Sequence, residues 1–345
     1  MTRPSAVPPP VTAVLDASSR WLPARLGEAE DLLREQSGGH GELLGADAAT
    51  TLAAGGKRLR PLLVLLCAGA DGGEEAVRAA AAIELVHMAT LVHDDVLDDA
   101  PLRRGVPTVV ARSGRERAFA VGDLLFSRAF VLLAGRHDSG AVSLLARASV
   151  ALAEGELAQR HDAFDIGISE ERYLDRCRLK TATLFECACL MGWQATPLPR
   201  TREDGRVASG CDERARPGAE EMAEFGSGIG LAFQLLDDVL DVSGPAERTG
   251  KARGTDLLDG TVTLPLIVAA ASDPSIREVD LRDLDSASAE RFCDRIAATG
   301  SLDQVRSRAL EMVSAAKAQL DSDAFNAEQR QLLGLVADGV VQRYS

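Results

Sequence analysis

The pentapeptide Asp-Asp-Val-Leu-Asp stands twice in this chain, at residues 94–98 and 237–241, and each copy follows an apolar run, 83–92 in one case and 231–236 in the other. On a helix, residues four apart share a face. Asp94 therefore pairs with Asp98, and Asp237 with Asp241, flanked by Asp95 and Asp238. Facing each other across a cavity between helices, two such sets bind hard cations, which prefer oxygen ligands. Mg²⁺ in particular is usually completed by substrate phosphates. A single acidic pair is most often a solvated helix face. An identical repeat, each copy closing an apolar segment, argues for one shared cation-binding task.

Aromatic residues make up only 4% of the 345-residue chain while hydrophobic residues make up 46%. Strands have little aromatic or β-branched material and helices have plenty, so the expected fold is all-α. A net charge of -14 argues against nucleic acid or an anionic membrane surface as the main partner, since both call for basic patches. No run of eighteen apolar residues occurs and residues 1–10 lack a hydrophobic signal core, so the reading is a cytoplasmic protein without an integral membrane segment. The six cysteines show no CxxC spacing and read as free thiols, with Cys211 in a polar loop as the exposed one.

Three consecutive prolines, Pro8 to Pro10, mark residues 1–10 as a disordered tail. From there to residue 345 the chain reads as a single domain. Helical periodicity predicts helices over 11–36, 40–53, 60–70, 74–98, 115–135, 138–160, 169–194, 218–243, 261–272, 288–299, 301–321 and 326–343. Residues 196–218, rich in proline, glycine and charge, read as a flexible loop. A second glycine-containing interruption, 243–260, holds Lys251 and could close over a metal site.

Three basic clusters supply what a phosphate site needs. Gly55-Gly56-Lys57-Arg58-Leu59-Arg60-Pro61 puts flexible backbone and three cations at the mouth of a helix, where arginine forks match phosphate oxygens. Arg103-Arg104-Gly105 follows the first Asp motif, and Lys180-Thr181 sits inside an otherwise apolar helix. His87, two turns before Asp94, shares its face and could donate to a phosphate, with His93 adjoining the pair. Gln234 lies three residues before Asp237, on the inner face, where a buried amide needs a partner.

Taken together these motifs, in this order and spacing from about residue 45 onward, resemble the trans-polyprenyl diphosphate synthase family. The resemblance implies antiparallel helices around a deep cavity, a homodimer, and Mg²⁺-dependent, repeated head-to-tail joining of isopentenyl diphosphate to an allylic diphosphate. It assigns Asp94, Asp98 and Asp237 to three Mg²⁺ ions, with Asp95, Asp238 and Asp241 as further or water-mediated partners. Arg103, Lys180 and Lys251 would hold the allylic diphosphate. Lys57, Arg60, His87 and Arg104 would hold that of isopentenyl diphosphate, and Thr181 and Gln234 would turn oxygen dipoles toward the allylic cation. One departure stands out: where the family shows Gly-Lys-x-Thr-x-Pro, this chain has Gly260-Thr261-Val262-Thr263-Leu264-Pro265, so Thr261 replaces a diphosphate-binding lysine.

Product length should follow from what blocks the cavity below the first Asp motif. Ala89 and Thr90 are small, Val86 lies deeper, and Phe126 and Phe130 could form a floor. Each helical turn spans about 5.4 Å, close to one isoprene unit. Local wording is more similar to medium and long-chain synthases, which implies about six to ten units; geranylgeranyl diphosphate is the alternative. A class I terpene cyclase would not need Lys57, Arg60 and Arg104, and a metal phosphohydrolase would leave the second Asp motif unexplained. A subunit of a heteromeric synthase is the non-catalytic alternative.

Overall fold

Abundant alanine and leucine and few strand formers produce a chain that is helical through most of its described residues. The computed structural model describes residues 9–38, 41–135, 139–196, 216–244 and 253–342. Its helices are α1 (Pro9–Ala17), α2 (Leu22–Ser37), α3 (Gly41–Ala53), α4 (Leu59–Ala68), α5 (Gly73–Leu97), α6 (Val109–Ser113), α7 (Arg115–Ala134) and α8 (Ser139–His161). Then follow α9 (Glu170–Cys177), α10 (Thr183–Ala195), α11 (Ala219–Ser243), α12 (Thr255–Leu258), α13 (Leu264–Ser272), α14 (Ser286–Ala298), α15 (Ser301–Gln319) and α16 (Ala327–Gln342).

The centre is built on α4, α5, α10 and α11. Helix α5 packs on α4 and α7, α10 touches α4, α5, α8 and α11, and α15 backs α11. Glu74 and Glu75 open α5 where the positive end of the helix dipole favours carboxylates. Its residues 79–83 are all buried, so it behaves as a core helix apolar on every side. It is also the one described helix long and apolar enough to cross a membrane, yet most of its length is buried against its neighbours. One continuous apolar cluster runs from Val14 to Val340.

Several boundaries differ from the periodic reading for identifiable reasons. The helix expected over 11–36 is two helices, because Pro23 sits in the first turn of α2, where its missing N–H costs nothing. Pro9 and Pro10 open α1 in the same way, so the tail expected over 1–10 ends before them; residues 1–8 lie outside the described residues. The helix predicted for 60–70 stops at Gly69, which takes a positive φ of 70°. Helix α14 starts earlier than expected because Asp285 and Ser288 form a capping box. Residues 102–107 form a two-stranded hairpin, Leu102 against Pro107 and Arg103 against Val106. Its turn residues Arg104 and Gly105 both have positive φ, the geometry that suits a two-residue hairpin loop.

The stretch 169–194 is not one regular helix. A π-turn, Arg178–Ala182, lies between α9 and α10 and carries Lys180 and Thr181. π-Turns inside helices often mark functional positions. Two glycines press against this segment and a third against the start of α10. A Cβ on Gly155 of α8 would come within 2.6 Å of the Lys180 backbone nitrogen, and one on Gly230 of α11 within 2.7 Å of the Ala182 Cα. One on Gly226 would come within 2.8 Å of the Glu186 Cα. Close backbone approach from both sides thus fixes where Lys180 and Thr181 sit. Cys67, Cys177, Cys187, Cys189 and Cys293 are buried free thiols, while Cys211, like most of the loop expected over 196–218, lies outside the described residues.

Candidate active site

Two pockets adjoin at the C-terminal end of α5, and their charges are opposite. The larger, about 560 Å³, is lined by Asp94 and Asp98 from α5, Lys180 and Thr181 from the π-turn, and Gln234, Asp237 and Asp238 from α11. Seven carboxylates line it against four cationic side chains, so it demands positive charge. The smaller, about 40 Å³, lies between the 54–58 segment, α5 and the hairpin. Arg58, Arg103, Arg104, Arg112 and His87 line it against Glu84 and Asp95, so it demands an anion. Leu91 and Arg103 line both.

In the larger pocket, burial first of all pushes the Asp94 carboxyl up to about 6; Lys180 and Arg103 oppose this, and Glu156 and Asp98 add to it. Asp238 is raised to about 8, chiefly by burial and then by the neighbouring Asp256. Its oxygens accept hydrogen bonds from the Tyr173 hydroxyl and from the Gln234 amide at 2.7 Å. The Thr181 hydroxyl in turn donates to Gln234 Oε1 at 2.7 Å. The amide that the sequence left without a partner is therefore held at both ends, with its carbonyl oxygen fixed beside the Thr181 oxygen.

Lys180 donates to Glu156, which also accepts from Arg160 Nε at 2.9 Å, and Arg160 reaches on to Asp98 Oδ1 at 2.5 Å. Burial alone would raise the Glu156 carboxyl, but the two cations outweigh it and hold the group below its ordinary value. Asp95 faces away from Asp94 and Asp98 and accepts from Arg103 at 2.7 Å, which pins the hairpin to α5. Asp241 is turned toward the chain that follows α11: its Oδ2 accepts from the Asp256 backbone N–H at 3.3 Å, near the start of α12. It does not line the larger pocket.

The smaller pocket is lined mainly by charged groups. Arg58, in a left-handed conformation at φ 48°, bonds Glu30 at 2.5 Å and the buried Glu84 at 2.8 Å. His87 is pushed well below its ordinary value, first by burial and then by Arg60, Arg104, Arg103 and Arg58 in that order. A neutral imidazole still carries one N–H, which can donate to an anion drawn in by the guanidinium groups around it. Arg60 stacks over the Phe185 ring at 4.7 Å, and its buried Nε has no hydrogen-bond partner. Burial lowers its guanidinium to about 10. Neither Lys57, which is exposed, nor Arg60 lines this pocket; Arg58 does.

The donor set of the larger pocket fits a hard divalent cation. It offers carboxylate oxygens from two helices, and two of those carboxyls are pushed toward the neutral form by burial. Among the described residues no three acidic, imidazole or thiol groups already converge on one point. The two Asp sets would therefore share a cation only through an added oxygen-rich ligand, which is how Mg²⁺ is commonly held.

Lys251 lies outside the described residues. Val86 and Ala89 are buried in the α5 face, and the Thr90 hydroxyl donates to the His87 carbonyl at 2.9 Å. Phe126 and Phe130 pack on each other with ring centroids 5.6 Å apart. None of these five lines the 560 Å³ cavity. His93 packs over Gly122 of α7, and its Nε2 lies 3.4 Å from Asp123, on the side away from the pockets. Thr261 does line the larger pocket, beside Thr263. The sequence reading missed Tyr173, Glu156 and Arg160, and it counted Arg58 in the basic cluster without assigning it a diphosphate. Glu156 and Arg160 carry a signal, an i,i+4 pair of opposite charge in the last turns of a helix; Tyr173 carries none, because its role depends on contact across 65 residues.

Residues 42–291 match the family model described as polyprenyl synthetase. The chain is 39% identical over 246 residues to heptaprenyl diphosphate synthase component 2 of Geobacillus stearothermophilus, covering 71% of this chain and 72% of that one. It is 33% identical to octaprenyl diphosphate synthase of Escherichia coli K12, covering 84% and 86% respectively. A crystal structure of polyprenyl synthase from Caulobacter crescentus CB15, complexed with calcium and isoprenyl diphosphate, superposes with a TM-score of 0.85. That pair is 33% identical, over 99% of this chain and 100% of the other.

Proposed function

The chain belongs to the polyprenyl synthetase family and is a prenyltransferase, and from that premise we propose that it joins isopentenyl diphosphate repeatedly to an all-trans allylic diphosphate, with Mg²⁺. The observation that carries this reading is the pair of adjoining pockets of opposite charge, which meet at Leu91 and Arg103. A diphosphate carries several negative charges. It can enter the arginine-lined pocket unaided, whereas the carboxylate-lined pocket admits one only together with divalent cations. Two diphosphates bound in different ways, with their hydrocarbon ends converging past Leu91, are what a condensation of two such substrates requires.

In this reading the allylic diphosphate is the leaving group. Mg²⁺ held by Asp94, Asp98 and Asp237, with Asp95, Asp238 and Asp241 behind them, would neutralise charge developing on that diphosphate. Lys180 and Arg103 hold its oxygens and keep the departing anion in place. The Thr181 and Gln234 oxygens, locked together by their hydrogen bond, present negative dipoles to the allylic carbon as its positive charge grows. Arg58, Arg104 and His87 hold the second diphosphate, with Arg60 supplying field from behind, so that its double bond faces that carbon. The apolar side chain of Leu91 keeps water from the reacting carbons.

The proposed product has about six or more isoprene units. The similarity to heptaprenyl and octaprenyl diphosphate synthases supports this; Val86 and Ala89, buried away from the cavity, do not bear on it. We read the chain as a single domain, supported by its one continuous core, and as a homodimer. Val150 and Leu157, exposed seven residues apart on one face of α8, are apolar side chains that a second copy would cover. A second reading, that the chain works only with a different subunit, is favoured by the word component in the name of its Geobacillus relative.

The deciding experiment is a product assay with purified protein, Mg²⁺, labelled isopentenyl diphosphate and geranyl, farnesyl or geranylgeranyl diphosphate offered singly. A ladder reaching six or more units supports the reading. Termination at four units keeps the chemistry and moves the floor to Phe126 or Phe130. Absence of condensation, with activity restored by a partner protein, selects the heteromeric reading.

A further inference from the structure

Four cationic side chains line the larger pocket: Arg103, Arg160, Arg176 and Lys180. Three bind partners that do not themselves line the pocket: Arg103 binds Asp95, Lys180 binds Glu156, and the buried Arg176 binds the Val262 carbonyl. Arg160 differs. Its side chain keeps 42% of its exposure, against 27% for Arg103, 27% for Lys180 and 4% for Arg176. One of its partners, Asp98, is a carboxylate that lines the pocket itself. A salt bridge within α8 to Glu156 would be ordinary helix-surface pairing, but the reach to Asp98 spans 62 residues and crosses from α8 to α5 at the rim of the pocket.

The consequence follows from charge. A divalent cation cannot take Asp98 while Arg160 occupies the same oxygen, because the two would repel. Taking that carboxylate therefore frees a guanidinium at the rim, still tethered by Glu156 and facing the ligand that arrives with the cation. A planar guanidinium released beside a diphosphate finds oxygens that it can bind through two N–H groups. We propose that Arg160 is a further diphosphate-binding residue of this site, stored on Asp98 until a divalent cation claims that carboxylate. The assignment rests on the reading of the larger pocket as the allylic diphosphate site.

The test separates storage from binding by the signs of two effects, read by calorimetric titration rather than turnover. Arg160 is exposed at the last turn of α8, so Arg160→Gln should fold and melt like wild type. Mg²⁺ alone should bind the variant about two- to fivefold more tightly, since Asp98 no longer has a competing cation, an amount set by the worth of an exposed ion pair. Inorganic diphosphate with saturating Mg²⁺ should bind about tenfold or more weakly, the loss expected for hydrogen bonds to a charged group. Arg160→Lys should recover part of the diphosphate affinity but not all, since a point charge replaces a fork. Unchanged diphosphate affinity in Arg160→Gln, with wild-type protein still condensing its substrates, overturns the assignment and leaves the proposed function standing. Unchanged Mg²⁺ affinity overturns the storage step. Wild-type protein that neither condenses substrates nor binds Mg²⁺ and diphosphate overturns both readings.

Discussion

Replacing Gly155 by alanine should damage the reaction more than it damages the fold. The added methyl would lie 2.6 Å from the Lys180 backbone nitrogen and 3.0 Å from the carbonyl carbon and Cβ of Leu179. Ordinary carbon contacts need about 3.5–4.0 Å, so α8 and the π-turn must separate by on the order of 1 Å. Overpacking of this kind costs about 1–3 kcal/mol. For a chain of this size that lowers Tm by roughly 2 °C per kcal/mol. The functional loss should be larger, because Lys180 and Thr181 ride on the displaced backbone while Glu156, the partner of Lys180, stays on the opposite side of the gap. A misplacement of about 1 Å at reacting groups costs on the order of a hundredfold in rate. The assay pairs a thermal melt with steady-state kcat/KM for the allylic substrate. Gly27→Ala serves as the control: it sits on an exposed face of α2, with no atom within 4 Å of the added methyl, and should stabilise the protein by about 0.5–1 kcal/mol. If Gly155→Ala kept both the wild-type Tm and kcat/KM, the account of how the π-turn is positioned would be wrong.

Four further outcomes follow from the same geometry. Asp237→Ala should lower kcat by at least about a hundredfold while leaving binding of isopentenyl diphosphate alone within about twofold, since it faces only the larger pocket; a parallel loss of that affinity would contradict the two-pocket account. Asp238 and Asp94, held at about 8 and about 6 against unfolded values near 4, stabilise the cation-free fold at low pH, and that contribution is lost as pH rises through those two values. The cation-free Tm of wild type should therefore fall from pH 5 to pH 8 more steeply than that of Asp238→Asn, and equal slopes would refute the burial argument. Tyr173→Phe removes a donor from Asp238, raising that carboxyl further; it should cost about 0.5–1.5 kcal/mol and weaken Mg²⁺ binding, which titration of the metal into the variant measures. Thr261→Lys adds a cation to the larger pocket and should lower the Michaelis constant for the allylic substrate, whereas an unchanged constant would show that Thr261 does not limit its binding.

The helical class and the shared face of Asp94 and Asp98 were legible because both depend on local rules. Alanine-rich sequence with little strand material becomes helix, and residues four apart on a helix share a face. Asp94 and Asp98 do line one pocket together. In the second copy the pattern parts: Asp237 and Asp238 line the pocket while Asp241 accepts a bond from the Asp256 backbone, because the chain leaving α11 folds back over its last turn. The basic segment shows a similar limit. Periodicity could not tell which of Lys57, Arg58 and Arg60 faces the anion pocket, since the choice depends on the left-handed backbone at Arg58 and on Glu30 and Glu84, 28 and 26 residues away.

By itself the sequence determined that the chain is helical, that two carboxylate sets occupy helix ends, and that cations stand near them, because propensity and the 3.6-residue period act over a few residues. Tertiary structure alone decided that these groups form two pockets of opposite charge, that Gly155 and Gly230 clamp the π-turn, and that Tyr173 and Arg160 line or brace the larger pocket. Each of those facts is a contact between residues far apart in the chain. A field of charges, a close backbone approach or a shared hydrogen-bond network exists only once the core has packed and the helices can no longer move apart.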